Sequence, residues 1–223
     1  MSRRINGDRI HFPFRVARYF PKTYDLAKWE FIKEYCRGIS LDLGAHIGLF
    51  TVEMARLSNR VIAVEPTEDS YRFLQKTVRL NQISNATLMN MCATDTNGWV
   101  DFYETNNVAS CLNSTSPSIA TRSVKKKSFT IDSLQLPISF MKIDIEGGEL
   151  KALEGAKQTL EFTKAISLEI HPIQLKSDSG NCEALHLLLS RYSPKYFKDG
   201  TRISSKEFVS YPTQAEYQII LGG

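Results

Sequence analysis

The apolar positions of the chain change period repeatedly. Ile39 to Leu43 is an apolar run with one acid, Asp42, near its middle, and it breaks at Gly44 into a tight turn before helix-compatible residues from Leu49 to Ser58. That pattern predicts a strand, a loop and a helix. Val61 to Val64 predicts a second strand, and Glu68 to Leu80 sets Tyr71, Phe73, Leu74 and Val78 among charges, as a surface helix does. Ala86 to Met91 reads as a third strand. Further on, Phe140 to Ile145 predicts a strand, Gly148 to Lys164 a helix, Ala165 to Ile170 a strand and Cys182 to Tyr192 a helix. Two last β segments fall at Tyr196 to Lys198 and at Ala215 to Leu221. Strands alternating with helices predict a single-domain α/β fold with a doubly wound, mostly parallel sheet covered by helices on both faces.

Two regions break this rhythm. Residues 1–38 read as an N-terminal arm followed by a helix over Asp25 to Arg37, ahead of the main domain at 39–223. The arm interleaves Arg3, Arg4, Arg9, Arg15 and Arg18 with Phe12, Phe14, Tyr19 and Phe20; such a segment either packs its rings on the domain or reaches for an anionic or sugar substrate. From Gly98 to Gln135, a β segment at Gly98 to Tyr103 gives way to a Ser, Thr and Asn-rich stretch, Asn106 to Arg122, expected as a loop. Lys125 to Lys127 then reads as a solvated charge run or a patch for an anionic ligand, and Ser128 to Leu134 as a strand with a turn.

At 223 residues and 42% hydrophobic, the chain suits one domain with a sizeable core. Its net charge of +4 is too small to demand a nucleic-acid partner. Cys36, Cys92, Cys111 and Cys182 include no C-x-x-C pair, which disfavours a zinc site and a disulfide framework. Free thiols and the absence of an apolar leader or membrane-length run point to a cytoplasmic, soluble protein. The oligomeric state stays open, a homo-oligomer included.

The turn after the first strand carries the first chemical signal. A dinucleotide fingerprint from Gly44 requires glycine at positions held by His46 and Leu49. Glu65 closes the second strand 21 residues after Gly44, where an acid accepts hydrogen bonds from the ribose hydroxyls of an adenosine ligand. Without a pyrophosphate signature, S-adenosylmethionine is the favoured adenosine ligand. Gly44, Ala45, His46 and Gly48 would lie under it, the two glycines admitting close approach. Asp42 would tie the loop or meet the methionine ammonium, and Cys92 to Asp95, Ala93 among them, would border the adenine.

The second signal is charge where a central parallel strand should be apolar. In Met141-Lys142-Ile143-Asp144-Ile145-Glu146, Asp144 and Glu146 are expected on one side of a strand, roughly 6.6 Å apart. Glu169 and His171 repeat the pattern on the next strand. Such groups converge on the crevice at the carboxyl ends of the strands. Glu149 reads equally well as a first-turn acid offsetting a helix dipole.

Leu41 to Gly48, Val64-Glu65-Pro66, Leu80-Asn81, Lys142 to Glu149 (KIDIEGGE) and Leu153 to Ala156 together resemble the FkbM family of SAM-dependent methyltransferases. The resemblance implies a seven-stranded class I methyltransferase fold and O-methylation of hydroxyls on sugars, glycans or related natural products. His46 departs from the family pattern, which has Asn there. In the mechanism so implied, His171 is the first candidate general base, oriented by Glu169 or Asp144, and Asp144 is the alternative base. Lys142, Glu146 and Glu149 are expected to face the acceptor. Asp144 and Glu146 also offer the hard oxygen ligands that Mg²⁺ takes. The rivals are an RNA 2′-O-methyltransferase and a non-catalytic SAM-binding partner subunit.

Overall fold

The computed structural model describes residues 1–16, 20–104, 122–170, 182–210 and 215–222. A two-stranded ribbon comes first: β1 (Ser2–Ile5) and β2 (Asp8–His11), joined through Asn6-Gly7, both at positive φ. Then follow α1 (Leu26–Tyr35), β3 (Ile39–Leu43), α2 (Leu49–Leu57), β4 (Arg60–Val64), α3 (Glu68–Leu80) and β5 (Ala86–Met89). A short β6 (Cys92–Ala93), β7 (Gly98–Glu104) and β8 (Arg122–Phe129) form a separate sheet in the order β6-β8-β7. The chain continues through β9 (Ile138–Ile143), α4 (Glu149–Glu154), β10 (Ala165–Ile170), α5 (Cys182–Ser190), β11 (Pro194–Lys198), β12 (Thr201–Ile203), α6 (Ser205–Ser210) and β13 (Ala215–Leu221).

The main sheet runs β12-β11-β13-β10-β9-β3-β4-β5. It is parallel from β10 through β9, β3 and β4 to β5, and antiparallel where β13 meets β10 and β11 and where β11 meets β12. Eight strands thus stand where seven were expected, because the residues after β11 fold back as β12.

The central strands are buried on both faces, and their side chains alternate between two cores. Leu41, Leu43, Met141, Ile143, Ile166 and Leu168 pack with Leu150, Leu153, Leu185 and Phe208 from α4, α5 and α6. Val61, Ala63 and Phe140 face the other way, onto Trp29, Ile32, Val52 and Leu74 from α1, α2 and α3. Ile5, Ile10 and Phe12 of the ribbon join this second core. Phe12 and Phe20 of the aromatic N-terminal segment therefore pack on the domain, whereas Phe14 is exposed and Tyr19 lies outside the described residues.

The expected helix from Gly148 to Lys164 is broken. Gly155 passes so close to the carbonyl of Thr94 that a Cβ there would lie 2.2 Å from the Thr94 oxygen. Beyond it, Asp132 draws the chain into a new turn: its carboxylate accepts from the backbone N–H groups of Gln158 and Thr159 and from the Thr159 hydroxyl. A 3₁₀ turn at Thr159–Glu161 follows. Lys125 to Lys127 lie on β8, with Lys125 and Lys127 exposed and Lys125 paired to Asp101 across the ladder at 3.0 Å. The stretch expected as a loop falls, apart from Arg122, which opens β8, outside the described residues.

Because the Gly155 clash is with main chain, substituting Gly155→Ala should lower stability by about 3 kcal/mol or more, in the range of severe core substitutions. Denaturant midpoints of the two proteins would measure it. A change under about 0.5 kcal/mol would mean that the Thr94 strand end moves away freely.

Candidate active site

Three parallel strands, β3, β4 and β9, end side by side and open onto a cleft of about 980 Å³ that includes its open mouth. It sits where open α/β sheets bind ligands. Gly44, Ala45 and His46 line one side, Glu65 the next, Cys92 and Ala93 a third, and Lys142, Asp144 and Glu146 the last. Phe20, Tyr24, Phe50 and Phe102 close it with aromatic rings.

The loop after β3 is held from below. The Gly44 and Ala45 N–H groups both donate to the Val64 carbonyl at 3.0 Å. Lys142, buried on β9, donates from Nζ to the Gly44 carbonyl at 2.8 Å and to that of Leu43 at 3.4 Å. The same ammonium lies 3.6 Å from Asp42 Oδ1 and 3.5 Å from Asp144 Oδ2. Asp42 is fully buried and its other oxygen accepts from Thr51 Oγ1 at 2.5 Å, so it ties the loop to α2 and does not line the cleft. Burial pulls the Lys142 pKa down, but Asp144 and Asp42 outweigh it and leave it raised, so the ammonium stays charged.

Both glycines of the loop make room for protein, not for ligand. A Cβ on Gly44 would lie 1.8 Å from the Asp144 carbonyl oxygen, and one on Gly48 would lie 2.9 Å from Leu74 on α3. Gly44 still lines the cleft; Gly48, which caps α2, does not.

Glu65 Oε2 accepts from the His46 N–H and Oε1 from the Thr67 N–H, both at 2.8 Å. Each carboxylate oxygen has two lone pairs, so these bonds fix the side chain and leave acceptor capacity toward the cleft. Burial raises the Glu65 pKa, against the His46 charge and the two backbone donors, which lower it.

The acids after β9 converge by a different route from the one expected. The strand stops at Ile143, and Glu146 at φ 55 followed by Gly147 at φ 103 turns the chain back toward α4. Asp144 and Glu146 reach the cleft from this turn rather than by strand alternation. Asp144 is the more open, with 25% of its side chain exposed. Glu149, expected to face the acceptor, is fully buried at the start of α4 and accepts from the Gly147 N–H at 3.0 Å. It shapes the turn instead of lining the cleft. His171 lies outside the described residues.

Sequence reasoning missed Lys28. Its ammonium, buried on α1, lies 2.7 Å from Asp25, 3.0 Å from Glu169 on β10 and 3.3 Å from Glu216 on β13. Those three carboxylates are also the group that lies close enough together to hold a metal ion among the described residues, whereas Asp144 and Glu146 belong to no such group. The Lys28 ammonium supplies their positive charge, and Glu169 is committed to it. Lys28 and Lys142 flank the Phe50 ring, at 5.1 and 5.8 Å from its centroid. A lysine at helical spacing beside Trp29 and Ile32 was the available signal, since its neighbours face the core.

The profile of the methyltransferase FkbM domain matches residues 42–196. The chain belongs to this family. An FkbM methyltransferase from Methylobacillus flagellatus has a similar fold, with TM-score 0.53 and 20% identity over 83% of this chain and 44% of that one, so this chain spans less than half of its length. A Streptococcus mutans protein solved in complex with SAH gives TM-score 0.52 at 10% identity, covering 87% of this chain and 95% of that one. An rRNA methylase from Streptococcus thermophilus gives 0.51 at 12%, covering 87% and 93%. Among curated proteins none matches this chain. The FkbM match begins at Asp42 and ends at Tyr196, so it takes in the β3 loop, Glu65 and the turn after β9, and leaves out the ribbon and α1 that carry Lys28. Among the described residues no helix is long and apolar enough to cross a membrane.

Burial and the neighbouring Asp25 and Glu169 raise the Glu216 pKa to about 8 from an ordinary 4.5, with Lys28 opposing the rise. The folded protein therefore holds a proton that the unfolded chain has released over that interval, and stability should fall as pH rises from about 4.5 to about 8. Glu216→Gln should flatten that part of the profile, as read by chemical denaturation across a pH series. An unchanged slope would place the proton elsewhere.

Proposed function

We propose that the protein is an S-adenosylmethionine-dependent O-methyltransferase that acts on a hydroxyl of a sugar, glycan or related natural product. One observation carries this reading: the fixed Glu65 carboxylate and the partly open Asp144 carboxylate line a single cleft, one at the tip of β4 and the other just past β9. The first suits a ribose diol and the second an acceptor hydroxyl.

The donor set fits the cofactor. Glu65 keeps lone pairs for hydroxyl donors after holding His46 and Thr67. Ala93, Met91 and Ile47 offer an apolar bed for a purine, and the acids near the β3 loop favour the positive end of a methionine group. When bound, S-adenosylmethionine supplies a methyl group activated on a sulfonium.

The chain's own part is positioning, exclusion of water and proton removal. Phe20, Tyr24, Phe50 and Phe102 wall the cleft against water. Holding an acceptor oxygen in a near-attack geometry is the largest contribution such a site can make. Asp144, the most open of the cleft acids, accepts the hydroxyl proton as the new bond to carbon forms. The Lys142 ammonium stands beside it, 3.5 Å from Asp144 Oδ2. Glu169 serves this site indirectly, by fixing Lys28 behind Phe50.

Glu65→Ala should weaken SAH binding at least tenfold by calorimetry. It should also lower stability by about 1 kcal/mol, since two partly buried N–H groups lose their acceptor; unchanged affinity would reject the ribose assignment. Asp144→Asn should keep SAH affinity but lower kcat by about 10²-fold or more, and full turnover would remove Asp144 as the base. Labelled S-adenosylmethionine offered with neutral saccharides, charged saccharides and RNA should transfer label to saccharide hydroxyls. Labelling of RNA alone, or of nothing, would overturn the reading.

A further inference from the structure

The positive charge of the chain is concentrated. Residues 1–24 hold six basic side chains and one acid, a surplus of five, against +4 for the whole chain, which leaves the remaining residues at −1. The one acid, Asp8, is already engaged: its Oδ2 lies 2.8 Å from Lys33 Nζ and accepts from Trp29 Nε1 at 3.2 Å.

On the outer face of the ribbon, Arg4 and Arg9 stand directly opposite each other across the ladder, both exposed. Like charges in that position destabilise a strand pair, and here the pair has no compensation from acids: among the described residues no carboxylate ion-pairs with Arg4, Arg9 or the exposed Lys22. The Arg4 guanidinium bends toward the turn and donates to the Gly7 carbonyl at 3.2 Å.

That turn is joined to the cleft. The Asn6 side chain clamps the Tyr24 peptide from both sides, accepting from its N–H at 3.0 Å and donating to its carbonyl at 2.6 Å. The Asn6 N–H donates to Lys22 O at 2.9 Å. Tyr24 lines the cleft, and Phe20, which stacks on Phe12 just past β2, lines it as well. Lys22 therefore lies on the segment that forms one rim of the mouth, and Arg4 and Arg9 lie on the ribbon that Asn6 ties to it.

We infer that the ribbon is an acceptor-recognition element, and that the acceptor is a saccharide carrying a phosphate or sulfate group, held by Arg4, Arg9 and Lys22 while its neutral part enters the cleft past Tyr24. The inference rests on the saccharide O-methylation proposed above and narrows its substrate class. A short strip favours this over nucleic acid: four residues of strand extend about 13 Å, room for one or two anionic groups, and the remainder of the chain carries no surplus of positive charge to continue the track.

The test compares maltotetraose, its phosphorylated form and its sulfated form as binding probes for the intact protein, with a single-stranded RNA dodecamer as a fourth probe. Wild type should bind at least one charged saccharide ten times or more tighter than maltotetraose, and which of the two does so distinguishes phosphate from sulfate. The R4Q/R9Q double variant should lose that preference while its SAH affinity stays within twofold, which shows that the fold is intact. Equal binding of all three saccharides, a preference retained in the double variant, or RNA bound more tightly than either charged saccharide would each overturn the inference. Labelling assays keep the two proposals apart: methylation of neutral and charged saccharides at equal rates sinks only this one, whereas absence of saccharide methylation sinks the function on which it rests.

Discussion

A single buried ammonium holds the cleft in shape. Lys142 reaches from the end of β9 under the β3 loop, bonds two carbonyls there and stands between Asp42 and Asp144. Asp42 is the fully buried partner, and removing either member of that pair would leave a charge without compensation at a cost of about 3–5 kcal/mol. The geometry of these groups also accounts for Gly44, which lies against the Asp144 carbonyl with no space for a side chain. The loop that would carry the cofactor and the acid that would meet the acceptor are thus one packed unit.

Lys28 does for the N-terminal segment what Lys142 does for the loop. It joins α1 to β10 and β13 through Glu169 and Glu216, pairs with Asp25 at the start of α1, and lies over Phe50 as Lys142 does. Phe20 and Tyr24 are carried to the cleft by the segment that runs into α1, and Tyr24 contacts Phe50 with ring centroids 6.3 Å apart. Residues far apart in the chain therefore meet at one mouth. The family match covers the cleft floor, whereas this wall lies before the match begins.

The order of strands and helices was legible because period and burial agree in the parallel half. Ile39–Leu43 and Glu68–Leu80 stand where their patterns put them. The convergence of Gly44, Glu65, Lys142, Asp144 and Glu146 on one cleft was legible too, since strand ends in a parallel sheet share one edge. What escaped was set by contacts without a local signature. The helix expected from Gly148 stops at Gly155 because the Thr94 main chain occupies the space beside it. Glu149 turned inward because the Gly147 N–H needed an acceptor. Lys28 escaped because two of the three acids around it lie on β10 and β13, far away in the chain.

The position of β13 has a consequence for how the molecule assembles. Although it follows every other described strand along the chain, it lies between β10 and β11 and supplies the hydrogen-bonding partner of both. Until those residues have been synthesised, β10 presents an open edge, and β11 with β12 has no neighbour to join it to the rest of the sheet. One of the three carboxylates around Lys28 waits as well, because Glu216 arrives on that same strand. A nascent chain of this protein would therefore hold a nearly finished parallel half and a stranded hairpin, and would close both at once, late, in a single docking event.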